Sequence, residues 1–379
     1  MKISIFSHAY VSVENRKNIR ELAKLAGVHV VLPHAVSDQL GRGKPDLDPG
    51  EAAQYSVFRR VGLFGAQYLL ASTDLGLSSF APDIVHVEYD PWAVLFWQVC
   101  AYRQLYAPTA KLVCTIKKNT YREYPGPLGR AKDRLARTGI RRVDHFLATS
   151  RMVADLYADK FGVCGRDVSV TTHLGVDTDL FSPAAERENQ QDSGNLRIGY
   201  SGSLEPHKGV LDLLEAVKRC RARTGRELEL MYLGRGSLSE HFRAEAKCHP
   251  WFSVAGPVPH RDVAGFLRRL DIFVLATRVL PDHQEHDAHA LLEALAAGLP
   301  CIGTRSGIIP EIIGDASGLL VQPESVDGLA EALLSLSANE ARRRELGRRG
   351  REAALRSFSL PVLALRRADI YRRVLRSHA

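Results

Sequence analysis

Glu285 and Glu293 stand on either side of a run, 286–292, that turns from polar to apolar. Ala288, Leu291, Leu292 and Leu295 repeat at i, i+3, i+4 and i+7, the apolar face of a helix. Asp287 suits its N-cap, and Gly298 and Pro300 stop it. A short strand, 301–304, follows, and Pro310 suits the first turn of another helix, with Glu311 near its positive end. The first N–H groups of the longer helix have no intrahelical partner. The space between the two carboxylates therefore suits an anion such as a phosphate.

Other candidates share this polar, glycine-rich character. Gly199-Tyr200-Ser201-Gly202-Ser203 closes an apolar strand, and Lys208-Gly209 opens a helix. Glycines let the backbone approach a ligand, the helix start supplies N–H groups, and Lys208 adds a point charge, a set that fits a diphosphate. Leu233-Gly234-Arg235-Gly236 and Gly256-Pro257-Val258-Pro259 end two further strands. His283, His286 and His289 lie among Glu285 and Asp287, but their spacing is not that of a zinc site, and no metal is expected. Nearer the start, His8 and His86 fall at strand ends, with Glu88 and Asp90 beside His86, and Lys117-Lys118-Asn119 follows another strand. Of these, His8, His86, Glu88 and Asn119 are candidate ligand contacts.

These residues need strands and helices to carry them. Strands are expected at 2–6, 28–32, 55–60, 83–87, 111–116, 145–148 and 168–172. Helices are expected at 13–26, 65–78, 91–105 and 150–161, with a loop at 33–50 and a basic loop and helix over 117–142. The segment 182–195 is polar and poor in apolar residues, and reads as a linker. The pattern then restarts. Strands are expected at 196–202, 228–233, 252–255, 271–276, 301–304 and 318–321, and helices at 209–224, 238–247, 261–269, 325–337 and 341–356. A basic amphipathic helix covers 361–376. The organisation implied is a first domain at 1–181, a linker at 182–195, a second domain at 196–360, and a terminal segment, 361–379, packing back on the first domain. Such β/α alternation argues for α/β domains with doubly wound parallel sheets, which bind ligands at the carboxyl ends of their strands.

Composition bounds the function. The chain of 379 residues is 45% hydrophobic and 25% charged, ordinary values for globular domains. Six cysteines are scattered without C-x-x-C pairs, which suits reduced thiols in a cytoplasmic protein. The run 3–6 suits a first strand better than a signal peptide. The longest apolar stretch, 92–102, is far short of a membrane span. Net charge is +8 and is concentrated: twelve Lys/Arg face three acidic residues over 103–151, and twelve Arg face three over 342–376. Such segments are either solvated helix faces or surfaces for anionic headgroups and phosphorylated ligands. Zinc-finger spacing and RNA-binding aromatic motifs are missing, which argues against nucleic acid.

The second domain resembles the retaining glycosyltransferases of family 4 (glycosyl transferases group 1). The resemblance rests on an E-x7-E element, Glu285 to Glu293, followed by Ala-Leu-Ala-Ala-Gly-Leu-Pro. It is supported by Ser201-Gly202-Ser203-Leu204 with Lys208-Gly209, by Leu233-Gly234-Arg235-Gly236, and by His173-Leu174-Gly175-Val176-Asp177 through Phe181. It implies the GT-B fold, two Rossmann-like domains facing across a cleft. It also implies transfer of a sugar, with retention and without a metal or other cofactor, from a nucleoside-diphosphate co-substrate to an acceptor hydroxyl. UDP-sugar is the favoured donor and GDP-sugar the next. By position, Lys208, Ser203 and the backbone at His289 and Ala290 would meet the diphosphate. Glu285, His286, Asp287 and Ala288 would meet the sugar. Gly234, Arg235, Val258 and Glu293 would meet the nucleoside, with Glu293 on the ribose hydroxyls. Glu285, Lys208 and Lys117 are the catalytic candidates, and His8, His86, Glu88 and Asn119 the candidate acceptor contacts.

The sequence departs from the family in several places. His286-Asp287-Ala288 replaces the usual Gly-Phe-Gly, Ser203 stands where the family often has Arg, and Lys117 stands at the approximate place of a family histidine. Ser7-His8-Ala9-Tyr10 replaces a Gly-Gly turn. Two rival readings follow: a nucleotide-sugar epimerase of the same fold, or a non-catalytic nucleotide-binding partner subunit. The acceptor is a small molecule or a lipid-linked glycan, and the basic segments permit peripheral contact with anionic lipid on the inner face of the membrane.

Overall fold

The computed structural model describes residues 1–379 apart from 35, 39, 40, 44, 49, 65, 66, 122–124, 164, 173, 174, 185–194, 282, 315, 316, 378 and 379. Most of the 182–195 segment, and His173-Leu174, thus lie outside the described residues. The chain divides into two units, Met1–Gly175 with Leu360–Ala379, and Val176–Ser359.

The first unit is built on seven parallel strands. Across the sheet they run Val168–Val170, His145–Ala148, Lys111–Ile116, Ile84–Val87, Lys2–Phe6, Gly27–Pro33 and Gln54–Phe58. Ile3 lies in register with Val28 on one side and Ile84 on the other. Ile3 and Ile5 face one apolar core and Phe6 another, so the strand is covered on both faces and reads as a continuous apolar run. The helix Leu360–Arg376 covers one face beside Val13–Ala23, burying Ala364, Ala368, Ile370, Tyr371 and Val374 with Ile19 and Leu22.

Three details differ from the expectations. The residues expected as a helix at 65–78 instead form an antiparallel pair, Arg60–Phe64 with Gln67–Leu70, and a single helical turn, Leu77–Phe80. The apolar run at 68–70 is too short to choose helix over strand by itself. The 33–50 segment holds a short antiparallel pair, Val36–Asp38 with Gly41–Gly43. Residues 176–181, expected to end the first domain, belong to the second unit. The Val176 amide donates to the Phe358 carbonyl at 2.9 Å, and Phe181 is buried in that unit's core.

The second unit carries six parallel strands in the order Phe252–Ala255, Leu228–Leu233, Leu196–Ser201, Ile272–Leu275, Cys301–Thr304 and Gly318–Val321. Strand order reverses between Leu196–Ser201 and Ile272–Leu275, the switch point where doubly wound sheets open a crevice at their carboxyl ends. Two glycines let the loops close up there. Gly209 has φ +66°, and a Cβ on it would lie 1.9 Å from the Ala276 carbonyl oxygen; a Cβ on Gly234 would lie 1.9 Å from that of Gly202. Backbone bonds from Gly202 to Leu233, Leu204 to Arg235 and Gly234 to Ala255, all 2.9–3.0 Å, zip the first three strand ends together.

Candidate active site

The switch point gathers the expected residues of the second unit. Lys208 closes the turn Pro206–Lys208 after the first strand, and Glu285 lies in the loop after the fourth. The Lys208 Nζ donates to Glu285 Oε2 at 2.7 Å, and the Thr277 hydroxyl donates to the same oxygen at 2.7 Å. Glu285 is 2% exposed. Burial alone would raise its pKa, but the Lys208 ammonium and the bonds from Lys208 and Thr277 outweigh it, so the carboxyl is held below its ordinary value. A lysine has three donors, so an ammonium anchored on Glu285 can still turn N–H groups to an arriving diphosphate.

The loop that carries Glu285 is pinned from several sides. The Ile308 amide donates to the Glu285 carbonyl at 2.9 Å, and the Thr304 hydroxyl donates to the Thr277 carbonyl at 2.6 Å. Arg278, next to Thr277, makes a two-pronged contact with Asp212 of the helix Val210–Arg223, at 2.8 and 2.5 Å. Its backbone amide also reaches the His207 carbonyl at 2.9 Å. Both halves of the Lys208–Glu285 pair are thereby held in place. His207 and His283 stack edge to face beside it at 4.4 Å. Burial, with Lys208, pushes the His207 ring below the ordinary histidine value, and burial, with His207 and Lys208, does the same to His283.

The helix His289–Ala296 starts one residue later than an Asp287 cap requires. Ala288 is the N-cap and no side chain caps it. Asp287 instead pairs with His289 Nε2 at 2.7 Å. Burial would lower the His289 pKa, yet Asp287 and, more weakly, Glu293 and Glu285 raise it to about 9. An imidazolium therefore stands at this helix start at neutral pH. The first intrahelical bonds come from Leu291 and Leu292 to Ala288, so the His289 and Ala290 amides precede the ladder. Leu291, Leu292 and Leu295 are buried along the expected face.

Glu293, one turn further on, accepts from His260 Nε2 at 2.7 Å. His260 opens the helix His260–Arg268 directly after Val258 and Pro259. Sequence reasoning missed His260, Thr277, Arg278 and Asp212. A histidine after a proline at a helix start was a visible signal, but only the fold sets it against Glu293. Arg235 and Val258 are exposed, as are His286 and Asp287. Ser203 is half-buried and its carbonyl accepts from the Tyr200 hydroxyl at 2.8 Å.

The first unit has a polar cluster at its own switch point. His86 was expected to face an acceptor; it is instead fully buried, its Nδ1 bonded to the Tyr371 hydroxyl and its Nε2 to the Thr115 hydroxyl, both at 2.7 Å. Burial drives its pKa down to about 3. His86 is a central-strand residue, and its alternation places it inward. Glu88 is buried too, receiving the Tyr10 hydroxyl at 2.9 Å, with Lys117 Nζ at 3.5 Å from its other oxygen. Arg367 of the last helix donates to the Tyr10 hydroxyl at 3.2 Å. His8 is exposed with its ring 5.4 Å from that of Tyr89, and Asn119 is half-buried. Tyr371 and Arg367 were read only as part of a basic helix.

The second basic segment is largely structural. Arg343 is buried on the Leu336 and Ser337 carbonyls, Arg351 bridges the Phe181 and Ala296 carbonyls, and Arg348 and Arg349 pair with glutamates along their own helix. Among the described residues, no helix is long and apolar enough to cross a membrane.

Two family models match the chain. Residues 182–353 match "Glycosyl transferases group 1" and residues 18–180 match "Glycosyltransferase Family 4". The glycogen synthase of Mycobacterium tuberculosis is 26% identical over 298 residues, 77% of this chain and 69% of that protein. The sucrose-phosphate synthase of Thermosynechococcus elongatus superposes with a TM-score of 0.73 at 17% identity, over 100% of both chains. Anabaena Alr3699/HepE in complex with UDP gives 0.73 at 14% identity, over 98% of this chain and 100% of that one. With two Rossmann-like parallel sheets, the strand-end cluster of Lys208, Glu285 and Glu293, and matches that together span both halves, the chain belongs to the GT-B glycosyltransferases of group 1, family 4.

Proposed function

We propose that this glycosyltransferase moves a sugar from a UDP-sugar, with GDP-sugar the next choice, to an acceptor hydroxyl with retention and without a metal or other cofactor. The observation that carries the reading is the buried Lys208–Glu285 pair beside a helix start that bears Glu293. Glu293 takes the ribose hydroxyls, exchanging its bond to His260 for bonds from the nucleoside, with Gly234, Arg235 and Val258 along the base. Lys208, the His289 imidazolium and the His289 and Ala290 amides meet the diphosphate. The imidazolium supplies a charge that Ser203 lacks. The UDP named for the Anabaena relative supports a UDP donor.

The C1–oxygen bond of the donor breaks and the diphosphate leaves with the electron pair. The acceptor oxygen bonds C1 on the same face, and its proton passes to the departing diphosphate. Donors held at that oxygen act where charge grows. Glu285 holds Lys208 and orients the sugar rather than attacking it.

The acceptor is a small molecule or a lipid-linked glycan, and the protein works in the cytoplasm, in peripheral contact with anionic membrane. The helix Gly126–Ile140 supports that contact: Leu128 is 83% exposed and Leu135 shares its side, flanked by exposed Arg130, Arg134, Arg137 and Arg141. Cosedimentation with phosphatidylglycerol vesicles that fades at raised salt is the expected result; no binding at low salt removes the idea.

The test of transfer is incubation with each nucleotide sugar, with and without acceptor mixtures, read by NMR of the anomeric proton. An α-linked product from an α-linked donor is expected, lost in Glu293→Ala and Lys208→Ala proteins that fold normally. Epimerised donor without acceptor, or full activity in either variant, overturns the assignment.

A further inference from the structure

Glu293 is a carboxylate on an otherwise apolar stretch of helix. Its neighbours Leu291, Leu292, Ala294, Leu295 and Ala296 are buried, and Glu293 itself is 8% exposed. His260 Nε2 donates to its Oε1 at 2.7 Å, a short bond to a charged acceptor. Among the described residues the carboxylate accepts no other hydrogen bond. His260 therefore keeps this half of the site satisfied while no nucleotide is bound.

The pair is held by a frame within the second unit. The His260 ring stands near edge to face against the buried Phe181 ring, with 5.3 Å between centres and 69° between planes. Phe181 limits where the imidazole can turn. The Arg351 guanidinium donates to the Phe181 carbonyl and to the Ala296 carbonyl, both at 2.7 Å, which ties Phe181 to the end of the helix that carries Glu293. Arg268, at the far end of the helix His260–Arg268, donates to the Leu180 carbonyl at 3.0 Å and to the Ser182 carbonyl at 3.3 Å. The 180–182 segment thus braces both helices and keeps His260 opposite Glu293.

A ligand hydroxyl that takes Oε1 has to displace His260. The gain is then a difference between one hydrogen bond formed and one broken. Were His260 unable to donate, the free protein would hold a buried carboxylate without a donor, and the ligand would supply the missing one.

We propose that His260 is a positioning residue of the donor site that competes with the ribose hydroxyls for Glu293, and so lowers the affinity for nucleoside diphosphates. The proposal rests on the transferase reading above, in which Glu293 meets the ribose. Recapture of Glu293 by His260 favours departure of the diphosphate product, since affinity differences among related complexes lie mostly in the dissociation rate. It also gives Phe181, at the end of the segment before the linker, a part in the site: it backs the competing ring.

Calorimetric titration of the full chain with UDP and with 2′,3′-dideoxy-UDP tests this, with the matching GDP pair alongside. His260→Phe keeps a ring against Phe181 and removes the donor. It should bind UDP about tenfold more tightly than the unaltered protein, the size of one modest hydrogen bond, and dideoxy-UDP within about twofold of it. His260→Ala should move the same way, and covers the case in which the phenylalanine variant does not fold. His260→Gln, which restores an N–H donor, should return UDP affinity to within about threefold of the unaltered value. A role in packing alone would shift the two ligands together. Such a common shift, unchanged or weaker UDP binding in the Phe and Ala variants, or no return in His260→Gln overturns the proposal. Any of these, with UDP still preferred over dideoxy-UDP by the unaltered protein, sinks only this inference. No ribose preference in the unaltered protein removes the assignment of Glu293 and this inference with it, and no binding of UDP or GDP sinks the transferase reading.

Discussion

Replacing Lys208 with methionine isolates the electrostatics on which the site is built. The variant keeps much of the side-chain volume and leaves Glu285, 2% exposed, without its cation. At an effective dielectric near 20, charges 2.7 Å apart attract by about 6 kcal/mol, and the cost of burying the carboxylate cancels much of that. Removing one partner of a buried pair costs about 3–5 kcal/mol. The lower end, about 3 kcal/mol, applies here because Lys208 is 18% exposed and Thr277 still donates to the same oxygen. With a urea slope of about 2–3 kcal/mol/M the midpoint falls by roughly 1–1.5 M.

The pH dependence separates this account from simple loss of packing. In the unaltered protein the Glu285 pKa is depressed below 4.5, so its stabilisation is present above that value and is lost as pH falls through the depressed folded value. In Lys208→Met burial dominates and the folded pKa rises above 4.5. The folded state then binds more protons than the unfolded one, and the deficit shrinks as pH drops from 8 to 5. Adding Glu285→Gln should recover part of the loss at pH 8. Urea midpoints at pH 5 and pH 8 for the three proteins decide it. Equal deficits at both pH values, with no recovery in the double variant, refute the reasoning.

Gly209→Ala should lower the melting temperature steeply, because its Cβ falls 1.9 Å from the Ala276 oxygen at a positive φ; a shift under about 1 °C contradicts the packing of that turn. Tyr371→Phe removes the hydroxyl bonded to His86 and should cost about 1–2 kcal/mol in urea unfolding. His289→Gln should weaken UDP binding, chiefly below pH 8. In the unaltered protein, binding should decline as pH rises through about 9, where His289 loses its proton, and the variant should show no such step. Water screens the His289–Asp287 pair, as a third of the imidazole is exposed, so the effect is expected in binding more than in stability.

The second unit's site was legible because its chemistry is local. Glu285, Glu293 and Lys208-Gly209 sit in short motifs whose spacing fixes which strand end or helix start bears them. The helix start itself was misplaced, since Asp287 has a nearer cationic partner in His289 than the backbone it was expected to cap. What depends on distant packing was hidden. Glu293 meets His260 across 33 residues of sequence, and Arg278 meets Asp212 across 66. The first unit was harder because its polar residues are ordered by the last helix. Arg367 and Tyr371 lie at i and i+4, on the same side as Leu363, Ala364, Ala368, Ile370 and Val374. That spacing was readable, but a count of arginines gives no sign of which one is buried. The 67–70 strand was lost to a three-residue apolar run that suits either period.

The most direct test of the central claim is a calorimetric titration of UDP-sugars and GDP-sugars into the unaltered protein and Glu293→Ala. The account predicts saturable one-to-one binding of at least one nucleotide sugar, weakened at least tenfold in the variant. Equal affinity in the two proteins, or no nucleotide sugar bound by the unaltered chain, would contradict it.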